Sequence, residues 1–490
     1  MNTLAQRSAS VLAVAGLSLG LVALGAPGAL AADPEPAAAT APASLVDFAA
    51  SGSITVVKST DAQAATHDTG NAGHYTPENP LAGVTFELFR VMEIKNAADF
   101  QTAAGYTVAT APAGTSLGAR TTGADGTVSW DSLPVGLYLV KETAAPEGVS
   151  KAADYLVYLP MTNPADTTRW NYDVVTYPKN SRSETTKTVD DADRNVGDEI
   201  AYTITSDIPV VTQNNVTKYE VHDQLDGENL ATSPEQVSVV VAGQTLVPGV
   251  DYTVTVSAEQ KVEVVFQAAG LTKLTEAKKA DVAAKVVTTI KATVKAIGAT
   301  DGVATNQATV FHNNPYNTNE TDERPSGEVT TYWAKLRVLK QGAADKALEG
   351  AEFELYRCAS KAELGQKVSI GAVSTWTTGA DGTLVIDGLH VTDVENSTQL
   401  IDKTYCLVEV KAPAGYELLT EPVEVKLAQA DRTRLGDDAF AVSVEKTIQN
   451  IPSNQPKLPL TGGMGIGIFA GLAAALVAVG SWLAKRQPRA

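Results

Sequence analysis

The chain contains one of its own segments twice. "PLAGVTFELFR" (Pro80–Arg90) returns as "LEGAEFELYR" (Leu348–Arg357), and "TTGADGT" returns letter for letter at Thr121–Thr127 and Thr377–Thr383. "YLVKETAAPEGV" (Tyr138–Val149) returns as "CLVEVKAPAGYEL" (Cys406–Leu418), which keeps Glu142 and Glu409 in register. Repetition on this scale means two copies of one domain. Each copy alternates apolar and polar residues in short runs separated by D-G and A-P-x-G turns, the pattern of an antiparallel β-sandwich.

Between the copies the alternation continues in "EIAYTITSDIP", "KYEVHDQL", "DYTVTVS" and "KVEVVFQA", interrupted by one helical stretch, Leu271–Val287. This predicts a third, larger sandwich. The expected architecture is all-β: three tandem Ig-like sandwiches in a rod, over 51–180, 181–330 and 331–453. Residues 32–50 are rich in Ala and Pro and read as disordered.

The ends read differently. Arg7 precedes an apolar run, Val11–Leu24, and "ALA" closes it at Ala29–Ala31, so residues 1–31 read as a secretory signal peptide. Residues 454–490 combine a short linker, "LPLTG" (Leu458–Gly462), an uncharged span from Met464 to Ala484, and the basic residues Lys485, Arg486 and Arg489. A helix over that span is about 31 Å long, enough for a bilayer core, with the basic tail inside. Removing residues 1–31 and 462–490 takes away four basic residues and no acid, so the net charge moves from −18 to −22. Nucleic acid and anionic membrane surfaces are excluded as partners on that balance. Cys358 and Cys406 both fall in the last repeat, and export favours their pairing over two buried thiols; the bond contributes roughly 4 kcal/mol on the chain-entropy model.

Leu458, Pro459, Thr461 and Gly462, followed at once by an apolar span and a basic tail, resemble the cell-wall sorting signal of Gram-positive surface proteins. The resemblance implies that a sortase cysteine cuts between Thr461 and Gly462, holds Thr461 as a thioester and passes it to an amine.

Strand alternation puts three costly groups into each core. In "AKLRVLK", Lys340 shares a face with Leu336 and Val338; Glu409 shares one with Tyr405 and Leu407, and Asn450 with Ile448. Desolvation drives the amine and the carboxyl group toward their neutral forms, so the amine can attack the asparagine carbonyl while the acid shuttles protons. This resembles the self-formed isopeptide bonds of collagen-adhesin B-type domains, whose E-box surrounds Glu409. The middle domain offers Lys187, Asn306 and the acid Asp223, similar to the A-type pilus domains, with Glu220 a competitor on the opposite face. The first domain has the same letters in Lys58, Glu142 and Asn180, but a strand end that an enzyme must enter has reason to stay loose, and that bond is left open.

"WNYDVVTYPKN" ends the first domain. Trp170, Val174, Tyr177, Pro178 and Lys179 match the pilin motif of sortase-assembled pili, with Thr176 where Val is usual. With the sorting signal, repeats and E-box, the chain resembles the three-domain fimbrial shaft subunits of actinobacteria. That family implies a substrate and not an enzyme: a pilin-specific sortase joins Lys179 of one copy to Thr461 of another, and a housekeeping sortase transfers the fibre to peptidoglycan. It also implies a tip pilin as partner, adhesion and biofilm formation, a cell-wall fimbrium as location, membrane retention before cleavage, and neither cofactor nor metal. The alternative is a non-polymerising wall-anchored adhesin for a host or bacterial surface ligand.

Three weaker signals are set aside. "GTSLG" (Gly114–Gly118) matches a hydrolase elbow but is expected in a loop of a sandwich. Asp190–Glu199 resembles a calcium loop with Val196 where glycine is required. His67, His74, His222, His312 and His390 show no ligand spacing and read as satisfied surface histidines.

Overall fold

The computed structural model describes residues 46–60, 76–163, 166–178, 180–211, 214–298, 300–431, 433–434 and 442–453. The signal peptide, most of the Ala/Pro-rich segment, His67, His74, Lys179, the LPLTG pentapeptide, the apolar span and the basic tail lie outside them. No helix among the described residues is long and apolar enough to cross a membrane.

The fold is tandem β-sandwiches. In the first, a sheet ordered Asp173–Thr176, Ser51–Val57, Thr127–Pro134 faces one ordered Thr115–Thr121, Thr85–Glu93, Gly136–Ala144, Tyr155–Leu159. The core between them holds Ile54, Val56, Phe86, Leu88, Trp130 and Tyr138. The last sandwich repeats the plan: Val442–Gln449, Val329–Gln341 and Thr383–His390 face Glu363–Lys367, Glu352–Ser360, Thr404–Lys411 and Val423–Val425. The middle sandwich has the largest core, and its strands alternate cleanly. In Glu199–Asp207 the residues Ile200, Tyr202, Ile204 and Ser206 point inward while their neighbours are half-exposed.

The structure corrects several expectations. Neither repeat is purely antiparallel, because its first and last strands run side by side in parallel (Ile54 opposite Val174, Lys340 opposite Ile448). Side-chain alternation carries no information on strand direction, and no hairpin joins these two strands, so closure of the whole domain decides their polarity. The helix expected over Leu271–Val287 spans Ala268–Ala280. Extended Asp281 ends it, and Lys285–Val294 resumes as a strand. A further helix, Ala97–Ala104, escaped the sequence reading. Its signal is Asn96, whose side chain accepts from the Ala98 and Asp99 N–H groups. "GTSLG" lies largely in the strand Thr115–Thr121 and not in a loop, with Ser116 exposed and donating to Glu87 Oε1 at 2.5 Å. A strand running through the serine cannot form the strand–turn–helix elbow.

The sandwiches are joined without slack. Val329–Gln341 pairs at its start with Val303–Asn306 and farther along with the strands of the last sandwich, so one continuous strand runs across position 330. At the other junction, Ser181–Arg182 pairs back onto Val149–Ser150.

Candidate functional sites: buried lysine centres and domain seams

Lys340 and Glu409 come from opposite sheets of the last sandwich and meet inside it, Nζ to Oε1 3.0 Å, with both side chains fully buried. Asn450 follows the last strand, and its backbone N–H bonds Gln341 O at 3.0 Å, which fixes it beside Lys340. Its Nδ2 donates to both Glu409 oxygens at 3.0 Å and to Glu417 O at 2.9 Å, and its Oδ1 accepts from the Lys340 amine. Burial pushes the lysine pKa down against the pull of Glu409. The lysine amine, the asparagine side chain and the carboxyl group are thus in mutual contact, out of water.

In the middle sandwich Lys187, on Thr185–Asp190, contacts Asp223, on Tyr219–Gln224 of the facing sheet, and both side chains are fully buried. Desolvation lowers the lysine and raises the aspartate, which moves the pair toward amine plus acid. Buried Asn306 lies beside Asp223 and the Tyr202 hydroxyl, and neither of its amide atoms is held in a formed hydrogen bond. Glu220 instead points outward, to Lys218 and His222.

In the first sandwich Lys58 and Glu142 meet at 2.8 Å in full burial, the lysine again pushed down chiefly by desolvation. The asparagine differs. The Asn180 amide donates to Ser59 O, and Glu142 Oε1 is left buried without a hydrogen bond. Two members are assembled here and the third is turned to a neighbour's backbone.

The repeated "TTGADGT" has a role that sequence reasoning missed. Lys58 N–H bonds Gly126 O at 2.9 Å and Lys340 N–H bonds Gly382 O at 2.7 Å. Both glycines are left-handed (φ +72 and +73), and a Cβ on either would lie 2.3 or 2.6 Å from that same lysine's carbonyl oxygen. The identical turn therefore clamps the backbone of both buried lysines, and its letter-for-letter return was the available signal. Cys358 and Cys406 form a disulfide between adjacent strands, with Cα atoms 5.9 Å apart.

The pilin-motif residues frame the first seam. Val174 enters the core of the first sandwich, and Val175 and Tyr177 pack with Val57, so the edge strand Asp173–Thr176 is covered on both faces. Trp170 stacks on Phe100 of the unforeseen helix at 5.8 Å. Half-buried Pro178 follows the strand end, where a missing donor is tolerated. Asn180 is tied to both sandwiches, through Ser59 and through Tyr316, whose hydroxyl donates to Asn180 O at 2.5 Å. A cleft of about 430 Å³ opens in this seam, lined by Glu147, Arg182, Glu184 and Arg324 among others.

Two histidines expected at the surface are buried, one in each seam. His312 accepts or donates at Ser183 Oγ (3.0 Å), and Arg324 bridges Ser183 and Ser150. His390 Nε2 faces Asp191 Oδ2 at 3.5 Å across the second seam. The supposed calcium loop supplies that seam: Asp191 accepts from Asn396 N–H, Asp193 pairs with Arg357 and Lys403, Asn195 accepts from His390 N–H, and Arg194 O accepts from the Trp333 indole.

The two seams should answer acid at different pH. Burial and Arg324 depress the His312 pKa, against its bond to Asn313 O and the charges of Asp322 and Asp207. The closed seam therefore holds fewer protons than the open one, and stability is lost as pH falls below about 6.5. Burial would raise Asp191, but its bonds to His390, Asn396 and Thr331 bring it below its usual value. That contribution is present above about pH 3.9 and lost below it. Hydrogen exchange over an acid titration should release the Ser183 and Asn313 amides first and the Val196 and Asn396 amides last; simultaneous release would overturn the assignment.

Paired sandwiches with buried lysine–acid–asparagine centres define a surface pilin subunit of the Gram-positive type. Residues 50–181 match the model for the Gram-positive pilin subunit D1 N-terminal domain, and 334–438 match that of the prealbumin-like fold domain. The chain is 33% identical to fimbrial subunit type 1 of Actinomyces viscosus, over 95% of this chain and 96% of that one. It is 34% identical to fimbrial subunit type 2 of Actinomyces naeslundii, over 74% and 72%. The full-length major pilin SpaD of Corynebacterium diphtheriae superposes with a TM-score of 0.72 at 35% identity, covering 84% of this chain and 99% of that one. The chain belongs to the fimbrial subunit family and is a shaft pilin similar to the actinobacterial ones.

Proposed function

We propose that this shaft pilin is polymerised head to tail, the Lys179 amine of one copy displacing the sortase thioester at Thr461 of the next. The observation that supports the reading is the double tether of Asn180, which binds the end of the pilin motif to the first sandwich through Ser59 and to the second through Tyr316. In this reading the domains run over 51–180, 181–330 and 331–453, and the subunit is a substrate of a pilin-specific sortase. A housekeeping sortase links the finished fibre to peptidoglycan, and the fibre carries a tip pilin and supports adhesion and biofilm formation. Before cleavage the apolar span retains the subunit in the membrane.

Inside the subunit, Lys340 joins Asn450 with Glu409 as acid, and Lys187 joins Asn306 with Asp223, each losing ammonia. Lys58 and Glu142 hold the same chemistry ready, with Asn180 turned away. The test is a boiled, reduced gel blotted for this chain in wild type and Lys179→Ala. A ladder confined to wild type is expected; a single band in both would leave the wall-anchored adhesin.

A further inference from the structure

Each of the three lysines paired with a buried acid in a sandwich core lies over an aromatic ring: Phe86 at 5.8 Å for Lys58, Phe353 at 5.2 Å for Lys340, Tyr202 at 4.7 Å for Lys187. Only the middle centre has a hydroxyl on that ring. Tyr202 is fully buried on the strand beside Lys187, where Val189 pairs with Tyr202 and Lys187 with Ile204, so all four share the inner face. Its hydroxyl lies against Asn306. The Tyr202 hydroxyl, both Asn306 amide atoms and Asp223 Oδ1 are buried together, with Tyr202 and Asp223 each against the Asn306 side chain but short of full hydrogen-bond geometry. Polar groups buried in such imperfect contact carry a desolvation cost, and they stand where the asparagine carbonyl would react. In the last sandwich, by contrast, Glu409 and Glu417 O anchor the asparagine amide.

We infer that Tyr202 is a catalytic residue of the middle domain's self-cross-linking, its hydroxyl donating a hydrogen bond to the Asn306 side-chain oxygen as negative charge develops there. The inference rests on the Lys187–Asn306 bond proposed above. The neutral Lys187 amine forms a bond to Asn306 Cγ, and the carbonyl π pair moves onto Oδ1, where the phenol O–H meets it. Asp223 receives the proton lost by the attacking nitrogen and delivers one to the leaving nitrogen. The Cγ–Nδ2 bond then breaks and one ammonia departs, leaving one amide and no net change of charge. Burial raises the phenol far above its ordinary pKa, so it remains a donor throughout. Phe86 and Phe353 offer no such donor; at Asn450 the bidentate contact with Glu409 orients the amide instead.

The test uses the whole mature chain, made by cell-free translation, quenched in denaturant at timed points and digested. Cross-linked peptides Lys187–Asn306 and Lys340–Asn450 are quantified in the same sample, the second serving as a clock. Loss of one oxyanion donor slows acyl transfer by roughly 10²–10³. Tyr202→Phe should therefore lengthen the middle-domain half-time at least about tenfold and leave the clock unchanged. Equal half-times in wild type and variant would overturn the role of Tyr202, whereas absence of the Lys187–Asn306 peptide from wild type would overturn the bond itself. Should the variant's middle domain be cut by protease at once, the ratio is read in chain made with 3-fluorotyrosine. Its stronger phenol donor must shorten the middle-domain half-time alone, and an unchanged ratio there rejects the inference.

Discussion

Glu409→Ala should leave Lys340 and Asn450 unlinked, the last domain one ammonia heavier, and that domain open to protease at temperatures the wild type tolerates. Two effects combine. The variant keeps a fully buried lysine whose carboxylate partner is gone, a situation that costs about 3–5 kcal/mol. It also loses a covalent closure between residues 110 apart, worth roughly 4.7 kcal/mol if the chain-entropy relation for disulfides is carried over. Either is a large fraction of a domain's ordinary stability of about 5–15 kcal/mol. Glu409→Gln tests the acid with less disruption of packing, because it keeps the side chain's shape and one accepting oxygen but has no acid proton to exchange. Intact mass and a thermal scan provide the check. If Glu409→Gln still loses ammonia at the wild-type rate, the acid is not part of the reaction.

Gly388→Ala should uncouple the middle and last sandwiches while sparing both internal cross-links. Gly388 has φ +79, where a side chain costs roughly 1–2 kcal/mol, and an added Cβ would lie 1.8 Å from Val196 Cγ2. Val196 N–H bonds Gly388 O at 2.9 Å, so the alanine must expel the residue whose backbone closes the seam. With Val196 go the neighbouring contacts of Asn195 with His390 N–H (3.0 Å) and the Tyr405 hydroxyl (3.2 Å). Small-angle scattering should show a broadened distribution of distances, and protease should cut within Asp190–Asp198. Lys340 and Asn450, in the core of the last sandwich, should remain linked. Scattering identical to wild type would mean the continuous strand Val329–Gln341 alone holds the joint.

Much of the placement of the buried lysines, acids and asparagines was legible because it depends on a period of two. Lys340, Glu409, Asp223 and Asn306 each alternate with core residues, and a strand's pleat leaves no choice of face once its neighbours are buried. The same rule separated Asp223 from Glu220. It failed at Asp173–Thr176, where Val174 and Val175 are both buried because a second small cluster covers the outer face. It was not applied to His312 and His390, which share a face with Ala308 and Val310 and with Leu384 and Ile386, and whose burial is completed between the sandwiches.

The sequence by itself determined the two-copy plan, the sandwich class and the residues that enter each core, since repetition and alternation are properties of neighbouring letters. Only the tertiary structure decided the parallel pairing of first and last strands, the clamping of Lys58 and Lys340 by their glycine turns, the turning of Asn180 away from Glu142, and the conversion of an apparent calcium loop into a seam. Each of these depends on groups far apart in the chain that meet only when whole sandwiches close and abut, and no short-range pattern encodes such a meeting.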